Sequence, residues 1–183
     1  MKTFAETKRL ILRELVMTDD QGMFELDSDP EVHKYLGNEP VKTIEQSRDA
    51  INFIRKQYED NGIGRWAVIE KQSGKFIGWA GLKLIKEPVN GHINIHDVGY
   101  RFIKQAWGKG YATEAAKACI NYGFNTLGLT KIYGFANVDN EASKAVLQKC
   151  GLVYRNNFTF VGIEHAWYEI KSVAFNQLKI AKQ

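Results

Sequence analysis

Two glycines, Gly108 and Gly110, separate a strand-like run from a helix-like run in the stretch Val98-Gly-Tyr-Arg-Phe-Ile-Lys-Gln-Ala-Trp-Gly-Lys-Gly-Tyr-Ala-Thr-Glu-Ala115. Lacking Cβ atoms, they let main-chain N–H groups come close to a ligand. The helix that follows leaves its first four N–H groups unpaired and carries roughly +0.5 of a charge at that end. Together these are the parts of a phosphate cradle, although a plain strand-to-helix turn uses the same residues. Two nucleotide motifs fail here. The dinucleotide fingerprint needs a glycine where Thr113 stands, and the P-loop needs a hydroxyl where Gly110 follows Gly108-Lys109.

Other reactive side chains form no recognisable constellation. His92 and His96 are flanked by Ile93 and Ile95 and read as strand-borne; four strand residues span about 13 Å, too far for one metal ion. His33 has no partner in sequence, and neither HExxH nor an EF-hand loop is present, so no metal is expected. No GxSxG elbow presents a serine nucleophile. Asn140 and Ser143 have the spacing of a helix N-cap and its first-turn neighbour.

The elements that must position these residues follow from periodicity. Strands are expected over 9–15, 65–71, 75–85, 93–103, 131–136, 153–161 and 165–171, with a tight turn at Gln72-Ser73-Gly74. Short helical stretches follow Thr18-Asp19-Asp20 and Asp29-Pro30. Thr43 with Gln46 has capping-box spacing and opens a helix carrying Ile51, Ile54 and Tyr58 that stops at Asn61-Gly62. A long helix over 109–126 presents Ala112, Ala115, Ala116, Cys119 and Gly123 as a small-residue stripe. Another helix covers 140–150, and a last short one buries Ala174, Phe175 and Leu178. The order implies one α/β domain over 1–183, with a mixed sheet of about seven strands and helices on both faces.

The chain has 183 residues, 25 Lys+Arg against 21 Asp+Glu, 44% hydrophobic and 25% charged residues. Those proportions exclude disorder and collagen. No apolar run reaches the ~18 residues of a membrane span, and the charged start MKTFAETKRLILREL does not resemble a secretion signal. Cys119 and Cys150 lack CxxC spacing and suit reduced, buried thiols in a cytoplasmic protein. The net charge of +4 is scattered, which argues against nucleic acid as a partner.

The spaced motifs resemble those of the GNAT superfamily of acetyl-CoA-dependent N-acetyltransferases. Gln105-x-x-Gly108-x-Gly110 matches its Q/R-x-x-G-x-G/A pyrophosphate signature. Asp97-Val-Gly-Tyr100, Trp107-Gly-Lys-Gly-Tyr-Ala-Thr-Glu-Ala115 and Asn140-x-x-Ser143-x-x-Val-Leu-x-Lys-x-Gly-Leu152 are similar to the branch that acetylates ribosomal-protein N-terminal alanine or serine. So are the opening Thr7–Arg13 and the closing Tyr168-Glu-Ile170, so the likeness spans nearly the whole chain.

The resemblance implies a GNAT fold whose mostly antiparallel sheet splays at a central parallel pair. It implies acetyl-CoA as co-substrate and an amine as acceptor, with no membrane partner and a homodimer allowed for. By family pattern, Phe102 and Ile103 pair their backbone with the pantetheine arm. Amides from Gln105 through Thr113, among them Trp107, Gly108, Lys109, Gly110 and Ala112, hold the pyrophosphate. Asn140 touches the pantetheine or thioester end and Ser143 points its hydroxyl at the sulfur. Many relatives carry a tyrosine acid where this chain has Leu147, which leaves Ser143 as the motif's hydroxyl. Asp97 is the candidate general base, with a structural pairing to a lysine as its alternative; Glu114 suits the helix dipole. Tyr35, the 37–40 loop, Phe158, His165 and Trp167 are expected near the acceptor. Protein N-terminal α-amines, small amines such as polyamines or aminoglycosides, and a non-catalytic CoA-binding role stay open as readings.

Overall fold

A computed structural model describes residues 1–180, with side chains through 177. In chain order the elements are β1 (Thr3–Glu6), β2 (Leu10–Arg13), α1 (Asp20–Ser28), α2 (Pro30–His33), α3 (Ile44–Asn61), β3 (Arg65–Glu70), β4 (Phe76–Ile85), β5 (Ile95–Phe102), α4 (Tyr111–Asn125), β6 (Lys131–Asn137), α5 (Glu141–Lys149), β7 (Val153–Phe160), β8 (Ile163–Lys171) and α6 (Ser172–Ile180).

Helix boundaries follow local chemistry. Thr43 and Gln46 form the capping box that starts α3, and Gly62 ends it at φ 69°, its N–H donating to Tyr58 O. The small-residue stripe lets α4 settle on the sheet: Ala115, Ala116 and Cys119 are fully buried. A Cβ at Gly123 would come within 2.7 Å of both Ile132 and Leu82. At the chain's end Phe175 packs on Phe124, ring centroids 5.0 Å apart, whereas Ala174 is exposed. Leu178 lies outside the described side chains.

Eight strands form one sheet in the order β1-β2-β3-β4-β5-β6-β8-β7, one more than expected. The addition is β1, a four-residue edge strand paired with β2, too short for alternation to register. Every pairing is antiparallel except β5 with β6. That parallel pair has a single register position, Asp97↔Tyr133, whereas β6 and β8 match from Lys131↔Lys171 to Asn137↔His165. Beyond Asp97 the two central strands part.

Alternation along the strands sorts the side chains. Asp97, Gly99 and Arg101 share one face with Lys83, Gly81 and Trp79 of β4 and with Tyr133, Phe135 and Asn137 of β6. Helices α1 and α3 cover part of that face, where Met23, Leu26, Ile51 and Ile54 pack with Ala67 and Trp79. Val98, Tyr100 and Phe102 point the other way, where Ala115, Ala116 and Leu147 of α4 and α5 complete the main core.

Candidate active site

The cleft opened by the parting strands has a volume of about 800 Å³. It runs from Gly108, Gly110, Ala112 and Thr113 past Tyr100 and Ser143 to Tyr35, Phe135 and His165.

Main-chain donors concentrate at one end. Amides of residues 108–113 meet no protein acceptor among the described residues. Gly108 and Gly110 adopt φ of 72° and 80°, a region that side chains with a Cβ enter reluctantly. A Cβ on Gly108 would touch nothing within 4 Å, so that glycine is required by its backbone angle and not by crowding. Glu114 fastens this turn to the other end of the chain. Its carboxylate accepts from Thr7 Oγ1 (2.6 Å), Arg9 N (3.0 Å) and Arg9 Nε (2.7 Å). Arg9 also donates to Lys109 O (2.9 Å) and lies over the Tyr111 ring. Burial pushes the Glu114 carboxyl up, yet the bonds from Thr7 and Arg9 outweigh it and hold the group below the usual range. Glu114 is thus a tether as well as an acid near a helix N-terminus.

Strand parity decides which backbone groups face the cleft. Ile103 N–H donates to Ile77 O at 3.1 Å, so residues 97, 99, 101 and 103 bond to β4. The groups of Tyr100 and Phe102 turn toward β6 and the gap. Ile103 is therefore corrected: its N–H is spent on Ile77 and its C=O accepts from Ala106 (2.9 Å), leaving no group for a pantetheine arm. Tyr100 and Phe102 are the residues near the end of β5 whose main-chain groups face the gap, and the Phe102 C=O is itself engaged by Trp107 Nε1 (2.7 Å). Trp107 lines the cleft, whereas Gln105 and the Lys109 side chain are exposed away from its wall.

Asn140 caps α5, its Oδ1 accepting from Ser143 N at 3.0 Å, and both residues line the cleft. Opposite stands a hydroxyl that the motifs did not reveal. Tyr100 OH donates to Ser143 O (2.9 Å) and lies 3.2 Å from Ser143 Oγ. Burial raises the Tyr100 phenol further above its ordinary range, so it stays protonated. Leu147, at the position where relatives carry an acid, is core, 1% exposed.

Asp97 is half of a buried ion pair. Arg65 Nη2 lies 2.5 Å from its Oδ2, and Arg65 Nη1 also binds the main-chain oxygens of Gly81 and Asp97. The guanidinium crosses β4 and β5 over glycine; a Cβ on Gly99 would fall 2.5 Å from Arg65 Nη2. Burial pushes the Asp97 carboxyl up, against the pull of Arg65. The structural pairing weighed for Asp97 is found, with arginine in place of lysine.

Around the acceptor end, Tyr35 and His165 line the cleft and Trp167 does not. Trp167 is corrected to a core residue: it is 1% exposed, stacked between Phe135 (5.8 Å) and His92 (5.6 Å). His165 Nδ1 lies 2.9 Å from Ile163 O. Trp79 is flanked by two guanidinium groups, Arg65 at 5.5 Å and Arg101 at 5.1 Å.

A sheet parted at its one parallel pair, with main-chain donors at the start of α4 and hydroxyls at the gap, fits a transferase whose acyl donor carries phosphate. Residues 9–153 match the family model described as Acetyltransferase (GNAT) domain. The chain is 31% identical to the uncharacterised protein YkkB of Bacillus subtilis over 93% of its own length and 97% of the relative's. It is 30% identical to the spermidine N(1)-acetyltransferase of Escherichia coli strain K12, over 76% and 70%. Among solved structures it resembles the ribosomal-protein-S5-alanine acetyltransferase of Vibrio fischeri (TM-score 0.73, 18% identity, 92% and 96% covered). It also resembles the spermidine N-acetyltransferase of Vibrio cholerae in complex with CoA and spermine (TM-score 0.73, 22%, 93% and 99%). The chain belongs to the GNAT acetyltransferase family and is an acyltransferase.

Proposed function

We propose that this enzyme moves the acetyl group of acetyl-CoA directly onto a weakly basic amine, with a protein N-terminal α-amine as the leading acceptor. The observation that carries the cofactor half is the run of unpartnered amides at 108–113 opening into α4, a fit for a diphosphate. Phe102 N–H and the Tyr100 main chain, both on the open edge of β5, suit the amide-bearing arm. Acetyl-CoA supplies an activated thioester, and the residues around it orient the two reactants and handle one proton.

The acceptor approaches on the face that bears Asp97, Trp79 and Phe135. Its nitrogen forms the new C–N bond as the C–S bond breaks, and its surplus proton leaves to water. Ser143 Oγ is the group placed to donate to the departing sulfur, and Tyr100 OH, 3.2 Å away, orients it. A thiolate of ordinary pKa ~8.5 needs only that hydrogen bond. Asp97, held by Arg65, positions the wall and is not a free base. An α-amine of pKa ~7.8 is about one-tenth neutral at pH 7, against a few parts in ten thousand for an alkyl amine near 10.4. A site with no unspent carboxylate favours the first.

Gly110→Asp tests the cradle. Its carboxylate would face the phosphates, and calorimetry should find acetyl-CoA affinity reduced at least about a hundredfold, with the melting temperature lowered by only about 3–5 °C for the left-handed backbone angle; wild-type affinity would remove the cradle from the mechanism.

A further inference from the structure

The charges around the acceptor end say what should flank the amine. Two carboxylates line the whole cleft, Glu31 and Asp97. Both are already engaged, Glu31 by Lys104 and Asp97 by Arg65. Behind the wall, Asp27 is bound to Arg101 Nη1 at 2.6 Å. No lining carboxylate therefore lacks a cation of its own. At the same end one lining cation has no such partner. Lys34 lines the cleft over the Tyr35 ring and pairs with no carboxylate among the described residues. Arg101, its side chain 22% exposed, spends Nη1 on Asp27, and its Nε and Nη2 meet no acceptor among the described residues. Trp79 lies against the Arg101 guanidinium and limits where it can swing.

From this we infer that the acceptor is an α-amine with a carboxylate within a residue or two of it, and that polyamines are disfavoured. Two effects point the same way. An unbalanced cation attracts the acceptor's carboxylate, and the same positive field disfavours an ammonium, so a bound amine is driven toward its neutral, nucleophilic form. A polycation loses on both, since it finds no free carboxylate and carries amines that stay protonated. This contrasts with the substrate for which the spermidine-acetylating relatives are named. The inference rests on the acetyl-transfer reading above and adds the charge of the substrate.

The test uses acceptors matched for their amine. Three peptides of equal length begin with serine and continue with Asp-Glu, Gln-Gln or Lys-Lys; free aspartate and spermidine complete the set. Thiol release from acetyl-CoA should give kcat/KM about tenfold higher for the acidic than for the basic peptide, with the gap narrowing as salt screens it. Spermidine should be the poorest. Aspartate turned over as well as the acidic peptide would point to a free amino acid as the source of the shared chemistry; aspartate inert beside an active acidic peptide would point to a polypeptide. Lys34→Glu should raise KM for the acidic peptide about tenfold and close or reverse the gap between the acidic and basic peptides, while acetyl-CoA affinity, read by calorimetry, stays within about twofold. Calorimetry of the same peptides with the CoA-loaded protein reads the charge preference without turnover. Basic peptide or spermidine favoured in either assay overturns the inference while acetyl transfer stands. Acetyl-CoA bound with no amine acetylated and no peptide bound overturns both.

Discussion

Replacing Asp97 by asparagine separates a structural carboxylate from a chemical one. In the ion pair the side chains of Arg65 and Asp97 are 12% and 8% exposed, so the substitution strands a guanidinium away from water. Removing one partner of a buried pair costs about 3–5 kcal/mol. A chain of 183 residues has an unfolding entropy near 0.4 kcal/mol per kelvin, so the melting temperature should fall by about 8–13 °C. Arg65→Met in the same chain removes the stranded charge, and the double variant should recover most of that loss. Differential scanning calorimetry of the four proteins gives the coupling. Thiol release, measured below the lowest melting point, gives the chemistry. If Asp97 only holds Arg65, kcat falls about tenfold, acetyl-CoA affinity is kept, and the pH profile keeps its acid limb. A general base would cost about 10²–10⁴ in rate, and pairing it with Arg65→Met would restore stability without activity. Asp97→Asn melting within about 2 °C of wild type with activity abolished would refute the structural account and return Asp97 to the mechanism.

Two further outcomes follow from the hydroxyl pair and the tether. Tyr100→Phe removes the donor to Ser143 O and the neighbour of Ser143 Oγ. It should lower kcat about tenfold while KM for acetyl-CoA stays within twofold, and Ser143→Ala combined with it should add little. Multiplicative losses would mean that the two hydroxyls act separately. Glu114 is held below its ordinary range, so its stabilising contribution is complete above the usual carboxylate pKa of about 4.3 and fades as pH falls through the lowered folded value. Glu114→Gln should cost about 1–3 kcal/mol at pH 7 and flatten the acid side of the stability–pH curve; an unchanged acid limb in urea titrations would show that the tether contributes nothing.

Local chemistry was legible and long-range geometry was not. The capping box of α3, the glycine that stops it and the small-residue stripe of α4 each follow from side chains a few positions apart, and each stands in the fold. Ile103 and Trp167 were misplaced for a different reason. Which backbone groups of β5 face the gap depends on the bond between Ile103 and Ile77, and a strand's partner is not written in its own residues. Trp167 sits on the late strand where the family resemblance implies acceptor contacts, but its two flanking rings, Phe135 and His92, come from distant segments and bury it. Tyr100 is visible within Asp97-Val-Gly-Tyr100, yet only the packing of α5 on α4 and β6 brings Ser143 to its hydroxyl.

One glycine ties these observations to the chemistry. Gly99 lies between Asp97 and Arg101 on the acceptor face, and the Arg65 side chain passes over it to reach the carboxylate. A side chain there would push Arg65 off Asp97 and free the carboxylate in the acceptor half of the cleft. That would supply both an ammonium-binding group and a base. With glycine, Arg65 neutralises the carboxylate, and Lys34 remains as an unpaired charge lining the cleft. Under the acceptor charge proposed above, the backbone of β5 would serve the cofactor with its alternate groups while the face bearing Asp97 and Arg101 selects the acceptor, so that one strand's two-residue period keeps the two substrates apart until they meet at the gap.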